Sequence, residues 1–240
     1  MYDSLDAKIA EYRSLGIEDP RLKNWIRESS LWYWLYGTLR IRGAGIGKEQ
    51  ILSILDGQLS EDLPLDLYSF VLGYASMYAD MQLSGQMEPD PDIRLLARWG
   101  TMLGHELSMR DTNPVLYHWG FVPCHFREVT NELRRVMREY SAGAGKRHFI
   151  DRAAALHLGV IKVYPFKEET LDMAGALLLY SFICAGLPAP DLGVSREEYD
   201  KLVKRYTADG DASAFCGMLA DSLSKRLDQV ISVCRRAAET

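Results

Sequence analysis

The chain contains few cysteines, no long apolar run and no concentration of positive charge. Its four cysteines, at positions 124, 184, 216 and 234, lack the close pairing of a disulfide framework, so we expect small core residues in a reducing cytoplasm. No stretch of roughly 18 uninterrupted apolar residues is present, which argues against a membrane span. The acidic, polar start from Met1 to Asp6 also differs from a secretory signal. Together these features predict a cytoplasmic protein.

Charge and length narrow the class further. The net charge is -5 and the lysines and arginines are scattered, so no basic stripe predicts a nucleic-acid partner. With 240 residues, of which 48% are hydrophobic, the chain can form one large core, or one domain with an N-terminal extension. We expect an N-terminal helical extension over residues 1–60 and a helical domain over residues 61–240.

Helical periodicity dominates the sequence. Apolar residues recur at helical spacing between glycine and proline breaks, which predicts an all-α class. The predicted helices cover residues 4–15, 21–41, 48–55, 65–84, 93–109, 126–140, 148–163 and 170–185, with two more after Ser195 and Ala212. Residues 115–123, from Val115 to Pro123, are rich in β-branched and aromatic side chains and predict one small β-hairpin.

A short loop between two apolar helices carries the most specific pattern. The loop begins Tyr164-Pro165-Phe166, and the helix after it ends at an Ala-Gly-Leu-Pro sequence, residues 185–188. This layout resembles the Fic (Fido) family, in which a helix leads into the motif His-Pro-Phe-x-(Asp/Glu)-Gly-Asn-(Gly/Lys)-Arg-x-x-Arg. The motif aligns with residues 164–175. The resemblance implies a Fic-like helical domain in which the hairpin at 115–123 is a flap that aligns target peptides.

Several motif positions differ from the family pattern. Pro165, Phe166 and Glu168 fit it, whereas Tyr164 stands where the family has its catalytic histidine. The nucleotide-pocket positions implied by the resemblance are Phe166, Glu168, Glu169, Thr170, Asp172 and Gly175, of which the last four stand where the family has Gly, Asn, Arg and Arg. Glu168 keeps the position of the acidic residue that binds the metal. ATP and Mg²⁺ are therefore expected as ligands only if the family activity survives.

The replacements change the chemistry that the loop can perform. The family histidine is a general base, and a tyrosine, which titrates near about 10, is a poor base at neutral pH. The family also wraps nucleotide phosphates at a helix N-terminus, where glycines and arginines favour negative charge. Here Glu168, Glu169 and Asp172 make that turn acidic, and we expect Thr170 to be the N-cap of the following helix.

An upstream segment resembles the inhibitory helix that one class of Fic proteins carries. Its pattern is (Ser/Thr)-x-x-x-Glu-(Gly/Asn), and its Glu pairs with the last Arg of the catalytic motif. Thr38, Arg42 and Gly43 occupy these positions, so the Glu has become Arg42, and Gly175 stands at the partner position. Because both members of the inhibitory pair are replaced, we hypothesise that Arg42 pairs with a carboxylate of Glu168, Glu169 or Asp172.

Three functions are compatible with this pattern. The first is a degenerate Fic-fold binding or regulatory module without AMP transfer, with a protein or peptide bound at the flap. The second is a divergent Fic nucleotidyltransferase that modifies protein hydroxyls with an altered donor, using Tyr164 or Glu168. The third is a homodimer component that associates through the aromatic helix containing Trp32 and Tyr36. His157, two helical turns before Tyr164, is expected to be a hydrogen-bonded core histidine.

Overall fold

The computed structural model describes residues 2–58, 63–87 and 90–238. Within them the helices are α1 Asp3–Ser14, α2 Pro20–Ile41, α3 Lys48–Leu55, α4 Leu65–Met87, α5 Ile93–Met102, α6 Val129–Ala142, α7 Phe149–Val163, α8 Thr170–Cys184, α9 Arg196–Asp209 and α10 Ser213–Ala238, with a 3-10 turn Phe126–Glu128. The all-α class is confirmed. The boundary expected between residues 60 and 61 lies outside the described residues.

The helices begin where the sequence supplies caps. Asp19 accepts a hydrogen bond from the backbone N–H of Arg21 at 2.8 Å, and Pro20 occupies the first position of α2. Ser195 and Glu198 form a reciprocal capping box at the start of α9, with distances of 3.2 and 2.7 Å. These local signals explain why the predicted starts fall close to the observed ones.

Two helices end three or more residues away from the predicted position. Helix α5 ends at Met102 rather than at residue 109, because Gly104 adopts a left-handed φ of 81° and the N–H of His105 returns to the carbonyl of Gly100 at 2.9 Å. Helix α4 continues to Met87, three residues beyond the predicted end. None of the described helices combines the length and the apolar character that crossing a membrane requires.

The hairpin expected at residues 115–123 is not formed among the described residues. A single antiparallel bridge joins Leu116 to Phe121, and the N–H of Leu116 donates to the Phe121 carbonyl at 3.0 Å. In this register the next hydrogen-bonded pair is Pro114 opposite Pro123. Neither proline has an N–H to donate, so the ladder cannot extend. The segment is therefore a turn closed by one bridge, which we continue to call the flap.

Helices α7 and α8 form the centre of the core. The side chains of α8 between Met173 and Phe182 are almost all buried, and most of those of α7 between Ile150 and Val163 are buried as well. Gly159 of α7 faces α6, and an added Cβ there would lie 2.9 Å from Val136, closer than van der Waals contact allows. The absence of a side chain at Gly159 therefore lets α6 approach α7.

His157 is a core residue, as expected from the sequence. Its Nδ1 lies 2.9 Å from the carbonyl of Ala174, and its Nε2 lies 2.8 Å from the hydroxyl of Tyr199. Because a carbonyl only accepts, Nδ1 carries the proton and Nε2 accepts from Tyr199. The imidazole thereby links α7, α8 and α9. Burial lowers the pKa of His157 to about 4.

Candidate functional site

The loop between α7 and α8 starts with a residue in the left-handed backbone conformation. Tyr164 ends α7 with φ 50° and ψ 62°, and it is the one non-glycine residue with positive φ in the described part of the chain. This left-handed conformation is uncommon for a bulky side chain and requires support from its surroundings. The support comes from a buried arginine that the sequence pattern did not single out.

That arginine is Arg110, whose side chain connects the end of α7 to both ends of the flap. Its Nε donates to the carbonyl of Tyr164 at 2.7 Å, and its Nη2 donates to the carbonyl of Val163 at 3.3 Å. Nη1 donates to the carbonyl of Thr112 at 2.7 Å, and Nη2 also donates to the carbonyl of Cys124. Arg110 is only 3% exposed, so its guanidinium satisfies these carbonyls away from solvent.

The charge of Arg110 is balanced by dipoles. Among the described residues, no carboxylate oxygen forms an ion pair with its guanidinium within the 4.0 Å limit for a salt bridge. The last carbonyls of α7 carry the negative end of the helix dipole, which attracts a cation. Burial lowers the pKa of Arg110. The backbone N–H of Arg110 donates to the carbonyl of Pro165 at 2.9 Å, which ties the same segment to the loop a second time.

The side chain of Tyr164 lies between the loop and the flap. Its ring is half-buried and meets the ring of Trp119 edge to face, with centroids 6.3 Å apart. Burial raises the pKa of Tyr164, and the carboxylates of Glu168 and Glu169 raise it further. The hydroxyl therefore stays protonated at neutral pH, whereas a general base must be deprotonated to accept a proton.

Thr170 closes the loop instead of capping the helix. Its Oγ1 donates to the carbonyl of Phe166 at 2.6 Å and accepts from the N–H of Phe166 at 3.0 Å. Helix α8 begins at Thr170 itself, so Glu169 is the N-cap residue, and Glu169 makes no side-chain capping bond. The prediction of Thr170 as N-cap is therefore wrong, because its hydroxyl is already engaged by the backbone of the same loop. Phe166, 2% exposed, packs into the core.

The hypothesis that Arg42 pairs with an acidic residue of the loop region is confirmed for Asp172. Nη1 of Arg42 contacts both carboxylate oxygens, at 2.5 Å for Oδ2. The Asp172 side chain is 4% exposed and that of Arg42 is 41% exposed, so the guanidinium covers a buried carboxylate. The Arg42 guanidinium also lies over the ring of Phe70, 4.5 Å from its centroid. A buried carboxylate needs such a partner, because an unpaired buried charge is strongly destabilising.

The inhibitory-helix and motif positions meet around one buried tyrosine of α4. Tyr74 is fully buried, and burial raises the pKa of its hydroxyl. The Asp172 carboxylate raises this pKa further, whereas Thr38 and the Arg42 guanidinium lower it. A Cβ added at Gly175 would have the Tyr74 hydroxyl, at 3.8 Å, as its nearest contact. The structure thus brings together the positions that the sequence comparison paired, although their side chains differ from the family pattern.

The groups at the start of α8 are acidic or are already bonded within the chain. Asp172 and Glu169 carry negative charge, the Thr170 hydroxyl is bonded to its own loop, and Arg42 is engaged with Asp172. Glu169 lies 4.0 Å from Nδ1 of His105, and Glu168 is exposed. The described residues contain no group of three or more His, Cys, Asp or Glu side chains that could hold a metal ion. The assignment of Glu168 as a metal ligand stays a prediction.

Known proteins resemble this chain in structure and not in sequence. No family model and no curated protein matches it. A Fic-domain-containing signaling protein from Bacteroides thetaiotaomicron superposes with a TM-score of 0.80 at 16% identity, covering 97% of each chain. Fic-1 from C. elegans gives 0.78 at 16% identity, covering 98% of this chain and 72% of that one. A Fic family protein from Desulfovibrio desulfuricans gives 0.70 at 14% identity, covering 97% and 75%. The chain therefore has the Fic fold.

Proposed function

We propose that this chain, which has the Fic fold, is a binding or regulatory module that does not transfer AMP. The observation that carries the proposal is the ion pair between Arg42 and Asp172 at the start of α8. In Fic proteins this helix start receives the nucleotide phosphates. Here the chain itself supplies the negative charge, on Asp172. The cation that neutralises it is Arg42, the residue that caps the C-terminal end of α2.

Electrostatics argues against a polyphosphate in this position. A helix N-terminus favours one anion, and the Asp172 carboxylate already lies in the first turn of α8. Two like charges 4 Å apart repel by about 1 kcal/mol in water and by about 4 kcal/mol at the effective dielectric near a protein surface. A triphosphate would face the carboxylates of Asp172 and Glu169 together, and it would compete with Asp172 for Arg42. Favourable contacts to the triphosphate would have to offset several kcal/mol of this repulsion before the triphosphate could bind.

The structure of the flap favours a protein or peptide as the ligand of the module. Its ends are held by Arg110, and its middle is held by Trp119, whose Nε1 donates to Asp200 at 2.8 Å. Between these anchors the flap presents apolar side chains to solvent, with Tyr117 86% exposed and Val122 63% exposed. Exposed apolar groups on a fixed backbone favour binding of an extended peptide.

The first test measures nucleotide binding and transfer. We expect no label on the chain or on added protein after incubation with labelled ATP and Mg²⁺ or Mn²⁺, and no nucleotide-dependent rise in Tm, since a ligand bound only to the folded state would raise it. A variant carrying Asp172→Arg and Gly175→Arg should gain a nucleotide-dependent rise in Tm, whereas Asp221→Arg on the exposed face of α10 should not. Strong label transfer by the natural chain, abolished by Tyr164→Phe, would establish the divergent transferase instead.

The second test concerns the flap. Peptides selected from a random display library on the natural chain are expected to bind at least about tenfold more weakly to a Tyr117→Ser, Val122→Ser variant, because truncating an aromatic anchor that the bound peptide covers removes a large part of the binding energy. Leu65→Ser and Leu83→Ser, which remove exposed leucines of α4, are the matched controls and should leave affinity unchanged. Equal binding to the natural chain, the flap variant and both controls would place the peptide site elsewhere.

A further inference from the structure

A second arginine, Arg226, is also buried. It lies in α10, far along the sequence from the loop between α7 and α8. It is 2% exposed, and its Nη2 donates to the hydroxyl of Ser29 at 2.5 Å. Its Nε has no hydrogen-bond partner among the described residues. The guanidinium carbon lies 4.7 Å from the ring centroid of Tyr33 and 5.6 Å from that of Trp25. The groups that contact the guanidinium in this way are two aromatic rings and one hydroxyl, and none of the three carries a negative charge.

A buried guanidinium with these neighbours is incompletely compensated. Cation–π contacts recover part of the hydration that Arg226 loses, and a single neutral hydroxyl satisfies one of its five N–H donors. Burial accordingly lowers the pKa of Arg226. Within the described residues no Asp or Glu forms an ion pair with it, in contrast to Arg42, which covers a buried carboxylate. The buried Nε, which has no partner among the described residues, would be satisfied by an anion from outside the chain.

Arg226 lines a cleft of about 230 Å³ between α2, α10, the α8–α9 connection and the first residue of α3. The cleft is lined by Tyr33, Lys48, Asp191, Gly193, Ser222, Lys225, Arg226 and Gln229. Its four α10 residues are separated by three or four positions or are neighbours, so they share one face of that helix. None of the lining residues belongs to the Fic-like motif at residues 164–175.

The cleft is strongly positive within a chain whose net charge is -5. Three cations reach it, from Lys48, Lys225 and Arg226. The one carboxylate, that of Asp191, is engaged elsewhere, because its Oδ1 accepts from Arg40 at 3.0 Å and from the N–H of Gly193 at 2.9 Å. Three positive charges therefore face one carboxylate that is already paired.

The position of Lys48 is fixed by aromatic rings. Its Nζ lies 4.9 to 5.3 Å from the ring centroids of Trp32, Tyr33 and Tyr36. These contacts hold the ammonium group at the edge of the cleft without using its hydrogen-bond donors. The aromatic run of α2, considered from the sequence as a dimer interface, is thus partly occupied by a lysine of the same chain.

We propose that this cleft is a binding site for a small phosphate-type oxyanion, either free or on a small phosphorylated molecule. A guanidinium and two ammonium groups that converge from α3 and α10 suit a compact anion with several acceptor oxygens. Ser222 and Gln229 add neutral hydrogen-bonding groups at the same face. The volume is below the range of about 300–1,000 Å³ that drug-sized ligands occupy, which selects a small ligand.

The proposal is tested by adding inorganic phosphate to the full chain at constant ionic strength, with chloride as the replaced anion. We expect a saturable rise in Tm and a saturable calorimetric signal, because the anion binds the folded state. The double variant Lys48→Gln, Lys225→Gln should weaken binding at least about tenfold, since each charge-assisted hydrogen bond contributes substantially to affinity. Lys204→Gln, at an exposed position of α9, should bind like the natural chain.

Further arms identify the source of the phosphate group and exclude a structural explanation. Tighter binding of glycerol 3-phosphate than of inorganic phosphate would assign the site to a phosphorylated small molecule, and the reverse order would assign it to the free ion. Arg226→Lys keeps a cation in place and should bind phosphate more weakly. No saturable response of the natural chain, or an equal response in the Lys48→Gln, Lys225→Gln variant, would overturn the proposal. Both results are independent of whether the loop at 164–175 binds ATP.

Discussion

Replacing Arg110 with methionine is expected to lower the free energy of unfolding by about 3 to 5 kcal/mol, the range observed when a buried charged network loses one partner. Methionine retains much of the aliphatic stem and fills a similar volume. What it removes is the guanidinium, which donates to the carbonyls of Tyr164 and Val163 and to those of Thr112 and Cys124. Each buried carbonyl left without a donor costs about 1 to 3 kcal/mol, although water entering the site offsets part of the total.

The effect should be larger at the flap and the loop than elsewhere. Arg110 joins the C-terminal end of α7 to both ends of the flap, and the left-handed backbone of Tyr164 depends on the same hydrogen bonds. Without these bonds, the flap keeps its bridge between Leu116 and Phe121 and the anchor from Trp119 to Asp200. We therefore expect amide hydrogen exchange to accelerate at residues 112–124 before the rest of the chain unfolds.

Chemical denaturation measures the global effect, and hydrogen exchange measures the local one. Arg138→Met, at an exposed position of α6, is the matched control and should change the stability by less than about 0.5 kcal/mol. Arg110→Lys should recover only part of the loss, because one ammonium group cannot reach carbonyls on several sides. If Arg110→Met were as stable as the control, Arg110 would not be the support of the loop.

Local sequence signals predicted most of the helices. The caps at Asp19 and Ser195 act within three residues of the helix start, so they can be recognised from the sequence alone. The overrun of α5 has a local cause as well, since a left-handed Gly104 ends the helix where apolar periodicity continues. Periodicity describes which face is buried, and it does not by itself specify where the backbone turns.

The structure of the flap and the role of Arg110 could not be predicted from hydrophobic periodicity. Whether residues 115–123 form a ladder is decided by their register, which places Pro114 opposite Pro123. Arg110 lies in a segment without periodicity, and its partners are carbonyls, which any residue type supplies. By contrast, a pairing of Arg42 with a carboxylate of the acidic turn was predictable, because the resemblance brought the two segments together and the opposite charges indicated a contact; the structure shows that the partner is Asp172.

His157 gives the second large effect, which depends on pH. Between about pH 7 and about pH 4.5 the natural chain should lose about 2 kcal/mol of stability through this one residue, given a pKa of about 4 when folded and 6.5 when unfolded. The folded state resists protonation, whereas the unfolded state takes up a proton as the pH falls below 6.5. The contribution of neutral His157 is thus complete above pH 6.5 and decreases as the pH falls towards 4.

The structural cause is the closed environment of the ring. Nδ1 donates to the carbonyl of Ala174 and Nε2 accepts from the hydroxyl of Tyr199, so the neutral ring is fully hydrogen-bonded. The ring also stacks on Phe215, with centroids 5.1 Å apart, and in the described part of the chain no carboxylate contributes to the pKa of the ring. Desolvation therefore dominates, which is the condition that depresses a histidine pKa.

Denaturation at several pH values, compared with a non-titrating variant, isolates this contribution from that of the carboxylates. In His157→Gln the difference in unfolding free energy between about pH 7 and about pH 4.5 should be smaller than in the natural chain by about 2 kcal/mol, whatever the absolute stability of the variant. Asn131→Ala, at an exposed non-titrating position of α6, should leave that difference unchanged. An NMR titration in which His157 takes up its proton near pH 6.5 would contradict the buried, neutral state on which the argument depends.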